Sequence, residues 1–359
     1  MTKNISKNTQ EPSNESFFNK FKKNKSNKIE NFVDFIENDF EKNIKFLKCN
    51  EFKETFVLEF KPTNYCNLSC EYCCFHSKEK NSFDINQTEK LLKIVKYLMD
   101  KINYKKIYLF IYGGEPTLYP HLNKFIKTSI DYFEKNNFEY KILIQSNGFS
   151  SIEKIIDPKI YKNLSFSLSF HYKELLKHRK IKKFIKNAEL LNSIGLLQEI
   201  TYMITKDNLK NDLALINLFK QKKLPLYIRS ILQESNYFRK KYDGLLTIED
   251  KNYETDQGNF SFEDLTVNNS FNFQNYYCEA GITSCIVSEN DLYRCDMDFL
   301  YDINKIGTIQ EDYSILIKKF NKLYNDKCNL KCSHKFCSIY FSNKFHENYS
   351  KELINGKDI

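Results

Sequence analysis

Between residues 55 and 232, short β-branched or aromatic runs alternate with longer stretches whose apolar residues recur at helical spacing. The short runs predict strands at 55–61, 106–112, 140–145, 163–170, 198–204 and 225–232. The longer stretches predict helices near 86–103, 121–137, 150–161, 174–195 and 208–223, the last capped by Asp207 and followed by Pro225. Strict βα alternation with connections of this length implies a parallel sheet with right-handed crossovers. Six units make three-quarters of an eight-fold barrel, so the predicted class is α/β, a partial (β/α)6 TIM-like barrel over 55–232. Upstream, Phe32, Val33, Phe35, Ile36 and Phe40 predict an amphipathic helix within 29–54. Residues 233–277 carry no long element and read as connecting or lid loops. A small cysteine-rich unit over 278–340 follows, with a hairpin around Ser288–Asp291 and a helix near 311–324; residues 341–359 are a tail.

Composition agrees with a packed interior. Of 359 residues, 41% are hydrophobic, and 31 Phe and 24 Tyr supply bulk despite the absence of Trp. The net charge of +9 is concentrated at the start: residues 1–28 hold seven Lys against Glu11 and Glu15, hence +5, in a Lys/Asn/Ser-rich segment without periodicity. That composition predicts a disordered basic tail, solvated or in contact with an acidic partner. The chain has neither the apolar run of a signal peptide nor an uncharged apolar stretch of about 18 residues. A cytoplasmic protein without a membrane partner is the expectation, and nothing in the pattern calls for nucleic acid. Eleven cysteines in a reducing compartment point to metal rather than disulfides.

The unusual residues fall at the carboxyl ends of the predicted strands, where barrel chemistry is built. Cys66, Cys70 and Cys73 follow strand one with gaps of three and two residues, which supplies three thiolates to a four-iron cubane and leaves one iron open. Taken alone, this loop also suits a zinc site or a plain electron carrier. Cys74 adjoins it as a spare. One βα unit later stands Tyr112-Gly113-Gly114-Glu115-Pro116, in which glycines permit close backbone approach and Glu115 offers a carboxylate. Together the two segments resemble the radical S-adenosylmethionine (radical SAM) superfamily.

The resemblance implies a 4Fe-4S cluster whose open iron binds the amino and carboxylate groups of S-adenosyl-L-methionine. Tyr72 would pack beside the adenine, and Gly113, Gly114, Glu115 and Pro116 would bind the methionyl ammonium. Ser146 and Asn147 look like the family's Asn-Gly turn, and Ser167 and Ser169 would face ribose and carboxylate; as bare sequence they are also ordinary turn and strand polars. The implied reaction is one-electron cleavage to methionine and a 5'-deoxyadenosyl radical, which takes a hydrogen atom from substrate, with an electron donor such as flavodoxin or ferredoxin. His171 and Arg229 end near the mouth and are candidates to face substrate. Lys177, Arg179, Lys180, Lys182, Lys183 and Lys186 form a basic helix face that is either solvated or steers an acidic peptide.

Six later cysteines, Cys278, Cys285, Cys295, Cys328, Cys332 and Cys337, resemble the SPASM extension or its shortened twitch form, which carries auxiliary 4Fe-4S clusters. Asn290 departs from that pattern, which commonly has Gly five positions before the hairpin cysteine, and the terminal cysteines are fewer than the full pattern wants. One auxiliary cluster on Cys278, Cys295, Cys328 and Cys332 is the expectation; a zinc knuckle is the alternative. By the same resemblance, the substrate is a peptide or protein side chain. The competing readings are a radical dehydrogenase of a sugar or other small molecule, and a non-enzymatic iron-sulfur or zinc protein.

Overall fold

The strand that positions the site, β1 (Thr55–Lys61), is buried along its whole length, because a neighbour pairs with it on each side. The computed structural model describes residues 54–71, 73, 80–150, 152–155, 162–204, 209–230 and 278–326. The expected tail and helix over 1–53, Tyr72, Asp207, the 233–277 loops, Cys328, Cys332 and Cys337 and the 341–359 tail lie outside them. After β1 come β2 (Lys106–Ile111), β3 (Glu139–Ser146), β4 (Leu164–Phe170), β5 (Leu197–Ile204) and β6 (Leu226–Ser230), within two residues of the predicted bounds. They are joined by helices α1 (Thr88–Ile102), α2 (Leu122–Lys135), α3 (Tyr172–Lys177), α4 (Ile181–Ser193) and α5 (Leu209–Gln221).

All six strands are parallel, which makes the fold the expected partial TIM-like barrel. The sheet continues beyond it. Strand β7 (Ser284–Ser288) pairs parallel to β1, and β8 (Asp291–Tyr293) and β9 (Lys305–Thr308) follow antiparallel, giving the order β6-β5-β4-β3-β2-β1-β7-β8-β9. The segment expected as a second unit from Cys278 is thus built onto the barrel sheet, with α6 (Asp296–Leu300) and α7 (Tyr313–Asn325) attached.

Alternation along β1 separates two environments. Phe56, Leu58 and Phe60 face the hydrophobic layer beneath the helices, where α2 presents Leu122, Phe125, Ile126, Ile130 and Phe133 at helical spacing. Phe60 stacks on Phe125 with centroids 3.8 Å apart and meets Phe83 edge-on at 4.9 Å. Thr55, Glu59 and Lys61 occupy the opposite face, where a barrel keeps its lumen.

Two predicted helices differ. The stretch 174–195 is not one helix: α3 ends and α4 begins around Arg179, which adopts φ 56°. Lys180 N–H bonds to the Leu175 carbonyl at 2.7 Å and Arg179 N–H to the Leu176 carbonyl at 2.9 Å, a Schellman closure. That closure usually advertises itself by glycine, and here it has none. Of the predicted 150–161 helix, the described residues hold a single 3-10 turn at Ile152–Lys154.

Phe60→Ala is expected to cost about 3–5 kcal/mol, because it removes a fully buried ring from a stacked cluster. Urea unfolding read by far-ultraviolet circular dichroism measures it.

Candidate functional site

Four loops meet at the carboxyl ends of β1 to β4. The residues leading into the cysteine loop are held in place by the segment after β2: Gly114 N–H donates to the Thr63 carbonyl at 3.0 Å, and Glu115 N–H to the Tyr65 carbonyl at 2.9 Å. A Cβ on Gly114 would lie 2.3 Å from the Tyr65 carbonyl oxygen and 2.4 Å from that of Asn64; one on Gly113, at φ +131°, would lie 2.8 Å from the Thr63 oxygen. The glycines therefore let one backbone approach another. They seat the stretch immediately before Cys66.

Glu115, 1% exposed, closes the arrangement from beneath. Its Oε1 accepts from Thr117 N–H at 3.1 Å, the Thr117 hydroxyl at 2.5 Å and the Ser146 hydroxyl at 2.8 Å, while Oε2 accepts from Asn147 N–H at 2.7 Å. Burial pushes its carboxyl above the ordinary value, and these donors pull it back. Pro116 opens the 3-10 turn that Glu115 caps.

Cys66, Cys70 and Cys73 all lie on this seated loop. Cys73 N–H donates to the Cys70 carbonyl at 3.0 Å, a turn that draws those two residues together, and Leu68 N–H reaches the Cys66 Sγ at 3.4 Å. Asn147 donates its side-chain amide to Asn67 Oδ1 at 2.8 Å, with Cys66 Sγ 3.8 Å away. Glu174, from α3, accepts from Ser69 N–H at 2.9 Å. Three thiols on one short, backbone-anchored loop are the donor set that a cubane with one open iron requires.

The other predicted residues are spread along the same rim. Ser167 donates to Glu199 at 3.1 Å, and Ser169 accepts from Gln145 Nε2 at 3.1 Å; both serines are buried on β4, opposite Phe166, Leu168 and Phe170. His171 follows β4, and burial pushes its imidazole down to about 4 against the pull of Glu174, which leaves it neutral at pH 7. Arg229 lies on β6, paired with Met203, and its side chain is outside the described residues. Cys285 faces the helix-side core beside Val287; burial, with Glu59 nearby, pushes its thiol up to about 12. Cys278 and Cys295 are both buried and both act on the Arg294 guanidinium. Burial opposes that charge, but the Asp298 carboxylate, 2.7 Å away, outweighs it. Asn290 serves without a glycine's backbone: its Oδ1 accepts from Asp84 N–H at 3.0 Å, while Glu289 takes the left-handed position at φ 54°.

Sequence reasoning missed a second polar group on the lumen face. Lys61, fully buried, pairs with Asp296; its Nζ lies 4.0 Å from the Phe299 ring centroid and 4.7 Å from that of Tyr112. The Tyr112 hydroxyl bonds to Glu59 and lies 3.1 Å from Asp296 Oδ1. Burial, helped by the Asp296 charge, pushes the Glu59 carboxyl up to about 8. The available signal was the period-two placement of Glu59 and Lys61 inside a strand flanked on both sides.

Residues 60–214 match the family model of the Radical SAM superfamily. An uncharacterized protein of Methanocaldococcus jannaschii is 28% identical over 162 residues, 42% of this chain and 54% of that protein, so the chain spans about half the length of that curated relative. The solved structure of native anSMEcpe with bound AdoMet and Kp18Cys peptide superposes at TM-score 0.50 and 19% identity, covering 84% of this chain and 98% of that one. Streptococcus suis SuiB bound to S-adenosylmethionine is 17% identical over 72% of this chain and 64% of that one, at TM-score 0.49. The likeness to anSMEcpe is one of fold.

Glu115→Ala leaves Thr117 and the buried donors Ser146 and Asn147 without their acceptor and is expected to cost about 1–3 kcal/mol per orphaned group that water cannot reach, read by urea unfolding. Glu59 has the opposite signature to a salt-bridged acid. Between the ordinary 4.5 and about 8 the folded state keeps a proton that the unfolded state has released, so stability falls as pH rises across that window and levels off above it. Glu59→Gln is expected to flatten that slope, measured as urea midpoints from pH 5 to 8; an equal slope in both proteins would show that Glu59 does not carry it.

Proposed function

We propose that the chain is a radical SAM enzyme that modifies a peptide or protein side chain, a reading supported by the match of residues 60–214 to that superfamily's model. With S-adenosylmethionine and a 4Fe-4S cluster bound, the site would supply reductive cleavage to a 5'-deoxyadenosyl radical and removal of a hydrogen atom from the substrate. The observation that carries this reading is the backbone pairing of Gly114 and Glu115 with Thr63 and Tyr65, which seats the loop of Cys66, Cys70 and Cys73 beside a buried carboxylate at the sheet's carboxyl edge.

The chain's own residues then divide the work. Cys66, Cys70 and Cys73 hold the cluster, leaving one iron for the cofactor. Gly113 to Pro116, Ser146 and Asn147 shape the floor of the cofactor pocket, with Ser167 and Ser169 on its β4 wall and Tyr72 at the adenine. His171, following β4, and Arg229, on β6, are our candidates to face the substrate.

Cys278 and Cys295, buried near Arg294, are our choice for an auxiliary cluster completed by Cys328 and Cys332. Cys285 packs into the helix-side core beside Val287, so we leave it out of the proposed ligand set. A peptide substrate is supported by the fold shared with anSMEcpe, whose solved structure contains bound AdoMet and a peptide. Among the described residues no helix is long and apolar enough to cross a membrane. Clustered cysteines serving as cluster ligands fit a reducing compartment, so the cytoplasm, with a flavodoxin- or ferredoxin-type donor, is our assignment.

Anaerobically reconstituted protein given dithionite and S-adenosylmethionine is expected to form 5'-deoxyadenosine, and Cys66→Ala to form none above background. Equal behaviour of the two proteins, or no product from either, sinks the enzyme reading. Transfer of deuterium from a labelled peptide into 5'-deoxyadenosine supports the substrate class; transfer only from a labelled sugar would replace it with a small-molecule dehydrogenase.

A further inference from the structure

Asn147 contacts both halves of the proposed cofactor site. It is 5% exposed and follows β3 directly. Its backbone N–H donates to Glu115 Oε2 at 2.7 Å, and its Oδ1 accepts from Phe149 N–H at 2.9 Å. The second bond settles which end of the amide points where: with the oxygen engaged by Phe149, the NH2 group is turned to the cysteine loop. There it donates to Asn67 Oδ1 at 2.8 Å and lies 3.8 Å from Cys66 Sγ, so its two hydrogens have two acceptors. Leu68 N–H approaches the same sulfur at 3.4 Å.

The turn that carries Asn147 is rigidly placed. Gly148 sits at φ +63°, and a Cβ there would lie 2.6 Å from the Phe184 ring. Asn187 Nδ2 donates to the Gly148 carbonyl at 2.8 Å and to the Ser150 carbonyl at 2.9 Å. A donor held this firmly beside a cluster-ligating sulfur acts on the cluster's electronics. Reduction adds negative charge to the cluster and its thiolates, and an N–H aimed at a sulfur stabilises the reduced state more than the oxidised one. An amide achieves this without burying a charge.

We propose that Asn147 is a positioning residue that ties the Cys66 sulfur to the Glu115 carboxylate and, through its side-chain amide, raises the reduction potential of the cluster on Cys66, Cys70 and Cys73. The inference rests on the functional reading above and adds to it a determinant of how readily the cluster accepts its electron.

Asn147→Asp keeps the backbone N–H for Glu115 and an oxygen for Phe149 but has no side-chain N–H; Asn147→Ala removes the donor without adding charge. After anaerobic reconstitution both are expected to hold wild-type iron while their midpoint potentials, read by EPR-monitored redox titration, shift downward. Ser165→Ala, on the same sheet in β4 but bonded among the described residues only to Ile142 and Gln198, is expected to titrate like wild type. Full iron with an unshifted potential in Asn147→Ala overturns the proposal. Should both Asn147 variants lose iron, pulsed EPR of reduced Asn67→Ala carrying 15N only in asparagine side chains decides: a coupled nitrogen supports the contact and its absence overturns it. Wild-type protein that gives no 4Fe-4S signal at all would instead defeat the functional reading.

Discussion

The Glu115 carboxylate receives hydrogen bonds from the turn after β2 and from the turn after β3, while its own N–H and that of Gly114 pair with Tyr65 and Thr63 ahead of the cysteines. Three of the four loops at the mouth are therefore referenced to one buried group. A carboxylate at 1% exposure is expensive unless saturated, and this one is saturated. The cost of leaving its donors unpaired is what keeps Ser146, Asn147 and Thr117 in one arrangement. Cys66 inherits its position from them, through the Asn147 amide and through the stretch from Thr63 to Tyr65.

The two faces of β1 explain how a reactive site can sit inside a stable sheet. The helix-side face is all aromatic and aliphatic, with Phe60 stacked on Phe125 and edge-on to Phe83. The lumen face carries Glu59 and Lys61, which can be buried only because Tyr112 from the β2 loop and Asp296 from α6 answer them. Those partners are 53 and 235 residues away in sequence, which makes the β7–β8 extension part of the site rather than an appendage to it.

Much of the fold was legible because βα alternation is a local signal. All six strands of the barrel lie within two residues of where hydrophobic runs place them, and the hairpin around Ser288–Asp291 is present. The misses share a cause. The break between α3 and α4 rests on Arg179 adopting a left-handed conformation that its residue type does not advertise, and the third strand β9 is four residues long. The parallel pairing of β7 with β1 joins segments more than 220 residues apart, and no periodicity within either strand encodes it.

For the site, the sequence by itself determined the chemistry on offer: three thiols at a spacing that leaves an iron open, a Gly-Gly-Glu-Pro segment one βα unit later, and their common placement at strand ends. Residue type and short-range spacing carry that information, because thiolates and glycines are defined before the chain folds. Only the tertiary structure decided what each residue does there. The glycines turn out to admit a neighbouring backbone rather than open space, Cys285 goes to the core while Cys278 and Cys295 gather near Arg294, and Asn147 reaches from one loop to the sulfur of another. These outcomes depend on which face of a strand meets which loop across the sheet, a relation set by long-range pairing and burial that no local stretch of sequence contains.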